Sequence, residues 1–518
     1  MKSCVVRKRF LSNASINESG TATTVDLDPG FGVPKACIIY YVDQNPSGDG
    51  FFDVSTLFRT VGVGFIGSTD SSITSNLTYR CAYTTQMNGV GTGVTFARRQ
   101  NNLTRWAITN STSGTQFWQG TSATFSTDQV TFVTSGGAAP SNLHLDTIMT
   151  FLGGSDLTVA VGDTQFPNSA NTSLAVGSLT FQPDVVLIAT VNGTAGAGVT
   201  DDARFSFGAA TRLPAAQKGI TWHLEGNNPS VSGMNCASLS SSTVINTYST
   251  NLGVGTFTFS MGTFTGTGWS TVAGSAVPTT NQSYIYMALK SSQPSDFALL
   301  DISTSTTTGS VFTGTGSSGF VPRVLLGALT AATTDNTRAT TSPSADGIAL
   351  FAGHRDPYSV FYNGTGTLSV ASLSTTVTGQ SSEFGRLNQG TRIYDANGTF
   401  AGTISLVNSK TSVSFLAGSN VAMTTAPYLY ANPNQYYIAI GNSTRAISSQ
   451  VYSSIGSTLI FTARGLGAVP AYLDTANLQR NDTRQGFLLN YTTSSGSAKL
   501  GWVLAIKDTD LKRRGSVV

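Results

Sequence analysis

The chain has 518 residues, a formal net charge of +3, 40% apolar residues and only 11% charged ones. That charge density is less than half of the roughly 25% of an ordinary globular domain, which excludes the basic footprint of a nucleic-acid binder, while the apolar content excludes a disordered chain. Ser, Thr, Asn and 55 glycines fill the difference, a mixture in which Thr favours strands and the others supply turns.

Residues 1–23 are polar apart from Cys4 to Val6 and Phe10-Leu11, and are expected to form an N-terminal arm or a lead-in strand. Its basic cluster Arg7-Lys8-Arg9 is a candidate docking element for an acidic neighbour, with solvated terminal charge as the plainer reading. No apolar h-region accompanies it, so no secretory signal is expected and synthesis in a cytoplasm is. No stretch approaches the ~18 apolar residues of a membrane-spanning helix, so no membrane insertion is expected.

From there the chain repeats itself, and internal repetition decides how the rest is read. A first module, 24–162, opens at Phe31-Gly32-Val33-Pro34 with the apolar run Ala36-Cys37-Ile38-Ile39-Tyr40. It continues through Gly62-Val63-Gly64-Phe65-Ile66-Gly67 and closes on Thr147-Ile148-Met149-Thr150-Phe151. A second, 163–292, opens at Phe181-Gln182-Pro183 with Val185 to Ile188. Its middle marker is Arg204-Phe205-Ser206-Phe207-Gly208 and its close is Tyr284 to Leu289. A third, 308–379 plus 449–510, opens at Phe320-Val321-Pro322 with Val324 to Leu326, passes Gly347 to Gly353 and closes on Gly501 to Ile506. The first two units span about 115 and about 105 residues from Pro to close, the size of a β-sandwich, whereas the third needs about 180. The excess predicts an inserted small β-domain at 380–448. There, Thr391 to Ile404 with Asn397-Gly398 at its centre is the clearest hairpin in the chain, with further strands expected at Ser412–Leu416 and Tyr436–Ile440. The Ser/Thr/Gly-rich segments 163–178 and 291–318 read as connections between modules, and Asp474 to Gln479 admits a short helix. The predicted fold class is all-β: three tandem β-sandwich-like modules, the third interrupted by a small inserted β-barrel or meander.

Residue types that carry chemistry are scattered. Gly62 to Gly67 and Gly314 to Gly319 match GxGxxG, but neither opens a helix whose N-terminus could hold a pyrophosphate, so no cofactor is expected. His144, His223 and His354 lie far apart without partners at metal-ligand spacing. Cys4, Cys37, Cys81 and Cys236 show neither pairing nor metal spacing, and Cys37 falls inside an expected buried strand. Asp201-Asp202, Asp146 with Asp156, and Glu225 are the most noticeable acids. Carboxylates paired across a groove could hydrolyse a glycan, although Asp in β-loops more commonly caps turns. Sequons at Asn76, Asn102, Asn110, Asn363, Asn397 and Asn442 follow from the composition. Trp106 and the pair Phe117-Trp118 sit among Asn, Ser, Thr and Gln and are candidates for contact with a glycan or another subunit, with core packing as the commoner role. Trp222 and Trp502 read as strand residues facing a core. No catalytic or metal-binding residue is nominated.

The openers, the Gly-ended middle strands and the closers Tyr286-Met287-Ala288-Leu289 and Val503-Leu504-Ala505-Ile506 resemble the repeat modules of tailed-bacteriophage virion proteins. A phrase similar to GF-x-P-K-A-V-I recurs in those proteins. Gly319-Phe320-Val321-Pro322 matches it best, and the first copy, with Val33 interposed before Pro34, matches less closely. The stretch Arg392 to Phe415 also resembles small β-modules of phage virion proteins. The resemblance implies a non-enzymatic structural protein of a virion, tail- or fibre-associated and contributing to host-surface adhesion. Its alternatives are a capsid decoration protein or head fibre, and a glycan-binding or glycan-degrading tailspike. It further implies other virion proteins as partners, a homo-oligomer, and a host surface glycan as a ligand to be tested.

Overall fold

A computed structural model describes the chain apart from residues 12–21, 45–57, 69–76, 88–95, 111–115, 137–143, 192–195, 201, 226–235, 241, 248–256, 276, 278–281, 314–317, 331–346, 356–360, 381–383, 385–386, 388–389, 410, 443–450, 457–458, 467–468, 480–485 and 508–518. The first module comprises β1 (Lys2–Leu11), β2 (Ala22–Asp26), β3 (Pro34–Gln44), β4 (Phe58–Gly67), β5 (Thr78–Met87), β6 (Phe96–Asn102), β7 (Ala107–Asn110), β8 (Gln116–Ser126), β9 (Gln129–Gly136) and β10 (His144–Gly153). The second comprises β11 (Thr158–Gln165), β12 (Ser173–Val176), β13 (Val185–Val191), β14 (Gly196–Thr200), β15 (Asp202–Thr211), β16 (Ala216–Glu225), β17 (Cys236–Ser240), β18 (Ile245–Thr247), β19 (Phe257–Thr265), β20 (Gly268–Ala273) and β21 (Ser283–Lys290). The third begins with β22 (Phe297–Ser303), β23 (Gly309–Thr313), β24 (Val324–Thr330) and β25 (Gly347–His354). The insertion follows as β26 (Tyr362–Asn363), β27 (Thr367–Val370), β28 (Thr376–Gln380), β29 (Arg392–Asp395), β30 (Phe400–Ser409), β31 (Ser412–Phe415), β32 (Met423–Ala426) and β33 (Tyr428–Ala431). The third module resumes with β34 (Gln435–Asn442), β35 (Val451–Gly456), β36 (Ile460–Leu466), β37 (Val469–Gln479), β38 (Phe487–Thr493) and β39 (Leu500–Ile506).

One topology occurs three times. Large antiparallel sheets run β1-β10-β3-β4-β5-β6, β11-β21-β13-β15-β16-β17 and β22-β39-β24-β25-β34-β35; small sheets run β2-β9-β8-β7, β12-β20-β19-β18 and β23-β38-β37-β36. The three Pro-led segments are β3, β13 and β24, each lying between its module's closing strand and its middle strand. The fold is therefore all-β and built of sandwich-like modules, and no sheet closes into a barrel. The stretch Asp474 to Gln479 is not helical: it is the end of β37, paired to β38.

Two strands precede each opener and belong to the module they lead into. Lys2–Leu11 is therefore a lead-in strand and not a free arm, because it pairs along its whole length with β10. Likewise 163–178 and 291–318 are not mere connections. They contribute the end of β11 and the whole of β22 beside the closing strands, and β12 and β23 at the edges of the small sheets. In β1, β11 and β22 the apolar pattern is interrupted by charged residues, Arg7 to Arg9, Asp163 and Asp301, and β12 and β23 are only 4 and 5 residues long.

Alternation explains the unbroken apolar openers. Successive side chains of a strand point to opposite faces. In β13, Val185, Leu187, Ala189 and Val191 enter one core, while Val186 and Ile188 enter another. In β3, Ala36, Ile38, Tyr40 and Val42 part in the same way from Cys37, Ile39 and Tyr41. In β24, Val324, Leu326 and Ala328 part from Leu325 and Leu329. The second set lies inside each sandwich together with the opener aromatics Phe31, Phe181 and Phe320, all buried. The first set, from all three large sheets, forms one shared core. The modules are thus three sandwiches with their large sheets turned inward on a common apolar centre.

The insertion is larger at its start and shorter at its end than 380–448. Its strands run from Tyr362 to Ala431 in one open sheet, β26-β33-β29-β30-β31-β28-β27-β32. The strand expected at Tyr436–Ile440 belongs to the third module, where it pairs with β25. There, Tyr436, Ile438 and Ile440 face the shared core, and Tyr437 and Ala439 face the module's own. The module interrupts the connection between β25 and β34. In the second module the equivalent connection is the short turn between Thr211 and Ala216, and the exit geometry is the same. Arg212 N–H bonds Asp184 O at 2.8 Å and Arg355 N–H bonds Arg323 O at 2.8 Å. The predicted hairpin is present as β29 and β30. Gly398 takes φ +84° at the turn, and Asp395 Oδ1 accepts the N–H groups of Thr399 (2.7 Å) and Asn397 (2.9 Å). Those donors hold the exposed Asp395 carboxyl below its usual range.

Candidate functional site

Among the described residues, those that join the modules form the most extensive set of specific side-chain contacts. The large sheets meet head to tail: β4, β5 and β6 pack on β11, β13 and β21 of the second module. In turn β15, β16 and β17 pack on β22, β24 and β39 of the third. Finally β25, β34 and β35 pack on β1, β10 and β3, which closes the ring. The same three strands of each module thus cover the same three strands of the next. In addition β14, from the second module, extends the first module's sheet by pairing with β6.

Strand register identifies equivalent positions in the three copies. Ile38, Leu187 and Leu326 stand at the same place after Pro34, Pro183 and Pro322. Across two strand pairings they lead to Arg80, Lys218 and Tyr436. Tyr40, Ala189 and Ala328 lead through the closing strands to Arg7, Asp163 and Asp301. At the first junction Arg80 Nε donates to Asp163 Oδ1 at 2.8 Å, and at the second Lys218 Nζ donates to Asp301 Oδ2 at 2.8 Å. Equivalent residues therefore make equivalent bridges across two successive junctions. At the third, the equivalents are Tyr436 and Arg7, and the bridge is replaced. A further cross-module bond runs from Lys35 Nζ to Leu157 O at 2.6 Å. Burial pulls the Lys35 ammonium below its usual range, against the opposing pull of Asp156.

The shared core is filled unequally at equivalent positions. One column holds Tyr40, Ala189 and Ala328; a second Val63, Phe207 and Leu350; a third Ile148, Ile285 and Trp502. Each module supplies one large aromatic, from a different strand. Phe207 touches both of the others, with ring centroids 5.5 Å from Tyr40 and 5.1 Å from Trp502.

Several residues singled out in the sequence fall elsewhere than expected. Trp106 and Trp118 are not surface platforms: they are 0% and 3% exposed and pack with Phe10 in the first module's own core, centroids 5.4 and 5.5 Å away. Stacking on a sugar ring or on another subunit is closed to them. Phe117 lies on β8, and its side chain is outside the described residues. Arg7 and Lys8 are buried at 1% and 2% exposure, and Arg9 is mostly covered. This is not a docking arm, because Asp146 on the neighbouring strand holds the cluster: Arg9 Nη2 lies 2.8 Å from its Oδ2 and Arg7 Nη2 3.5 Å from its Oδ1. Asp156 takes the amino group of Met1, so Asp146 and Asp156 each serve an ion pair of their own. Asp201 lies outside the described residues, as do the side chains of Asp202, Glu225, His144 and His223. His354 is buried and accepts from Arg323 Nε at 2.8 Å. Cys4, Cys37 and Cys81 are buried thiols outside any disulfide, with burial pushing Cys4 and Cys37 well above the ordinary range. Gly62 to Gly67 lies within the strand β4. Trp222 and Trp502 do face a core, the shared one.

Sequence reasoning missed Arg80, Asp163, Lys218 and Asp301. A signal existed: Asp163 and Asp301 stand at nearly the same distance before Pro183 and Pro322. The insertion leans on the first module, where Tyr362 Oη donates to Asp28 Oδ1 at 2.8 Å. It also carries the most exposed large apolar side chains described, Leu373 at 82% and Leu416 at 76%. Leu373 has φ +63°, and its N–H bonds Ser419 O at 2.9 Å, which sets the two leucine loops side by side. Among the described residues no group of three or more His, Cys, Asp or Glu could hold a metal ion, and no helix is long and apolar enough to cross a membrane. No protein-family model matches the chain, and no curated protein matches its sequence.

Proposed function

We propose that the chain is a non-enzymatic structural component of a tailed-phage virion, associated with the tail or its fibres, with other virion proteins as its partners. The observation that carries the reading is the closed ring of three copies of one sandwich around a shared apolar core. Its large sheets spend their inner faces on that core, and charged pairs such as Arg80 with Asp163 and Lys218 with Asp301 stand at its junctions. The insertion, present once per ring, is the part we assign to contacts outside it, since it bears Leu373 and Leu416. A capsid decoration or head-fibre role uses the same features and differs only in place. The glycan-binding or glycan-degrading alternative loses the buried Trp106 and Trp118, while Phe117, Asp201 and Asp202, on which it also drew, fall wholly or by their side chains outside the described residues.

Mass spectrometry of purified virions tests the assignment, with labelled antibody in electron microscopy giving the position. Detection on the tail is the expected result. Label on the head replaces the tail reading by the decoration reading, and absence from virions ends both.

A further inference from the structure

We infer that the three-fold assembly of this scaffold is completed inside one chain, so that the working unit is a single copy standing where a one-module protein would need three. This deepens the structural reading above, and it replaces the homo-oligomer expected from the sequence. Head-to-tail contacts between like units produce either an open filament or a ring, according to whether the rotation closes. Here it closes after three: the strands that cover the next module's lead, closing and opening strands do so at the junction from third to first as well. The ring leaves no repeat of that junction open for a second copy.

The core carries the point further. Were three separate chains to build the ring, each column would hold one residue type three times. Three copies of the first module would bring three residues like Tyr40 together, and three of the second would bring three like Phe207. The actual columns hold one aromatic each, matched by Ala, Val, Leu or Ile at the other two places, with Tyr40, Phe207 and Trp502 in mutual register. A close-packed interior tolerates neither the overfilling nor the voids that equal copies would give. The junctions are individual too, since the charged pairs Arg80 with Asp163 and Lys218 with Asp301 become Tyr436 and Arg7 at the third. Modules are therefore not interchangeable between chains, and the order along one chain is the order around the ring.

The test is the mass of the purified full-length chain by light scattering, from dilute to concentrated solution. One chain mass, 53.9 kDa, is expected throughout, and a stable species of three times that mass overturns the inference. The variant Arg80→Glu separates the cases again. Within a single-chain ring it lowers the melting temperature and leaves the mass unchanged, whereas a drop in mass on substitution shows the junction lying between chains. Copy counting in purified particles is the second arm, with one chain per attachment site expected and three per site contradicting it. Absence from virions would remove the virion reading alone, because the mass in solution is measured independently.

Discussion

Replacing Phe207 by Ala strikes the point where the three modules meet. Its ring is fully buried in the shared core, between Tyr40 of the first module and Trp502 of the third. Truncating a buried Phe costs about 3–5 kcal/mol, because transfer free energy and a residual cavity add, and each lost aromatic pair accounts for about 1 kcal/mol. We expect a loss of about 4 kcal/mol in urea unfolding. The more telling expectation is where the loss appears. Hydrogen exchange followed by mass spectrometry should show protection falling in β3 and β39 as well as in β15, since those strands line the same core. Phe259→Ala is the comparison. That ring stacks on Phe166 at 3.9 Å inside the second module's own sandwich, and it should open the small sheet of that module first. Separate unfolding transitions for the modules, with the third unmoved by Phe207→Ala, would refute the shared core as a source of stability.

Other outcomes follow from single contacts. Asp146→Asn removes the carboxylate that Arg7 and Arg9 share and should cost about 3–5 kcal/mol in urea unfolding; a loss under about 1 kcal/mol would contradict the role of the ion pairs. A Cβ at Gly208 would sit 2.0 Å from Val244 O, backbone that cannot swing away. Gly208→Ala should therefore destabilise by about 1–3 kcal/mol, while Gly266→Ala, with nothing within 4 Å, should be close to neutral by thermal melting. Burial pushes the phenols of Tyr40, Tyr41, Tyr284 and Tyr362 up, and that of Tyr491 to about 12. The unfolded chain then gives up these protons first, near pH 10. Stability should hold below that pH and fall as pH rises through the folded values, with absorbance at 295 nm and unfolding midpoints tracking each other. Ordinary titration of all 17 tyrosines near pH 10 would count against the burial.

Much of the candidate site was hidden from the sequence for reasons visible in particular residues. Arg7-Lys8-Arg9 reads as a solvated arm because a local pattern contains no trace of Asp146, which reaches it only by strand pairing. Trp118 stands beside polar Gln119 because strand alternation sends successive side chains to opposite faces, and Trp106 sits in the bend before β7, after polar Thr104 and Arg105, so polar company along the chain says nothing of where each ring lies. The insertion's early strands β27 and β28 are Thr- and Ser-rich and bury little beyond Leu368, Val370 and Val377, so their composition resembles a connection more than a domain. Tyr436 to Ile440 reads as a strand whichever domain it joins, and only its pairing with β25 assigns it to the third module.

The sequence by itself determined that the chain is all-β, that one Pro-led unit occurs three times, and that Asn397-Gly398 turns a hairpin. Each of these rests on local chemistry: composition, a two-residue alternation and a backbone angle. An unbroken apolar run such as Val185 to Ala189 even states that both faces of its strand are buried. What covers each face is a relation between distant strands, and only the tertiary structure decided it. It set the inner faces of three sheets on one core and closed the third module onto the first. It also gave Tyr40, Phe207 and Trp502 a single volume to share, which no one of the repeats could specify alone.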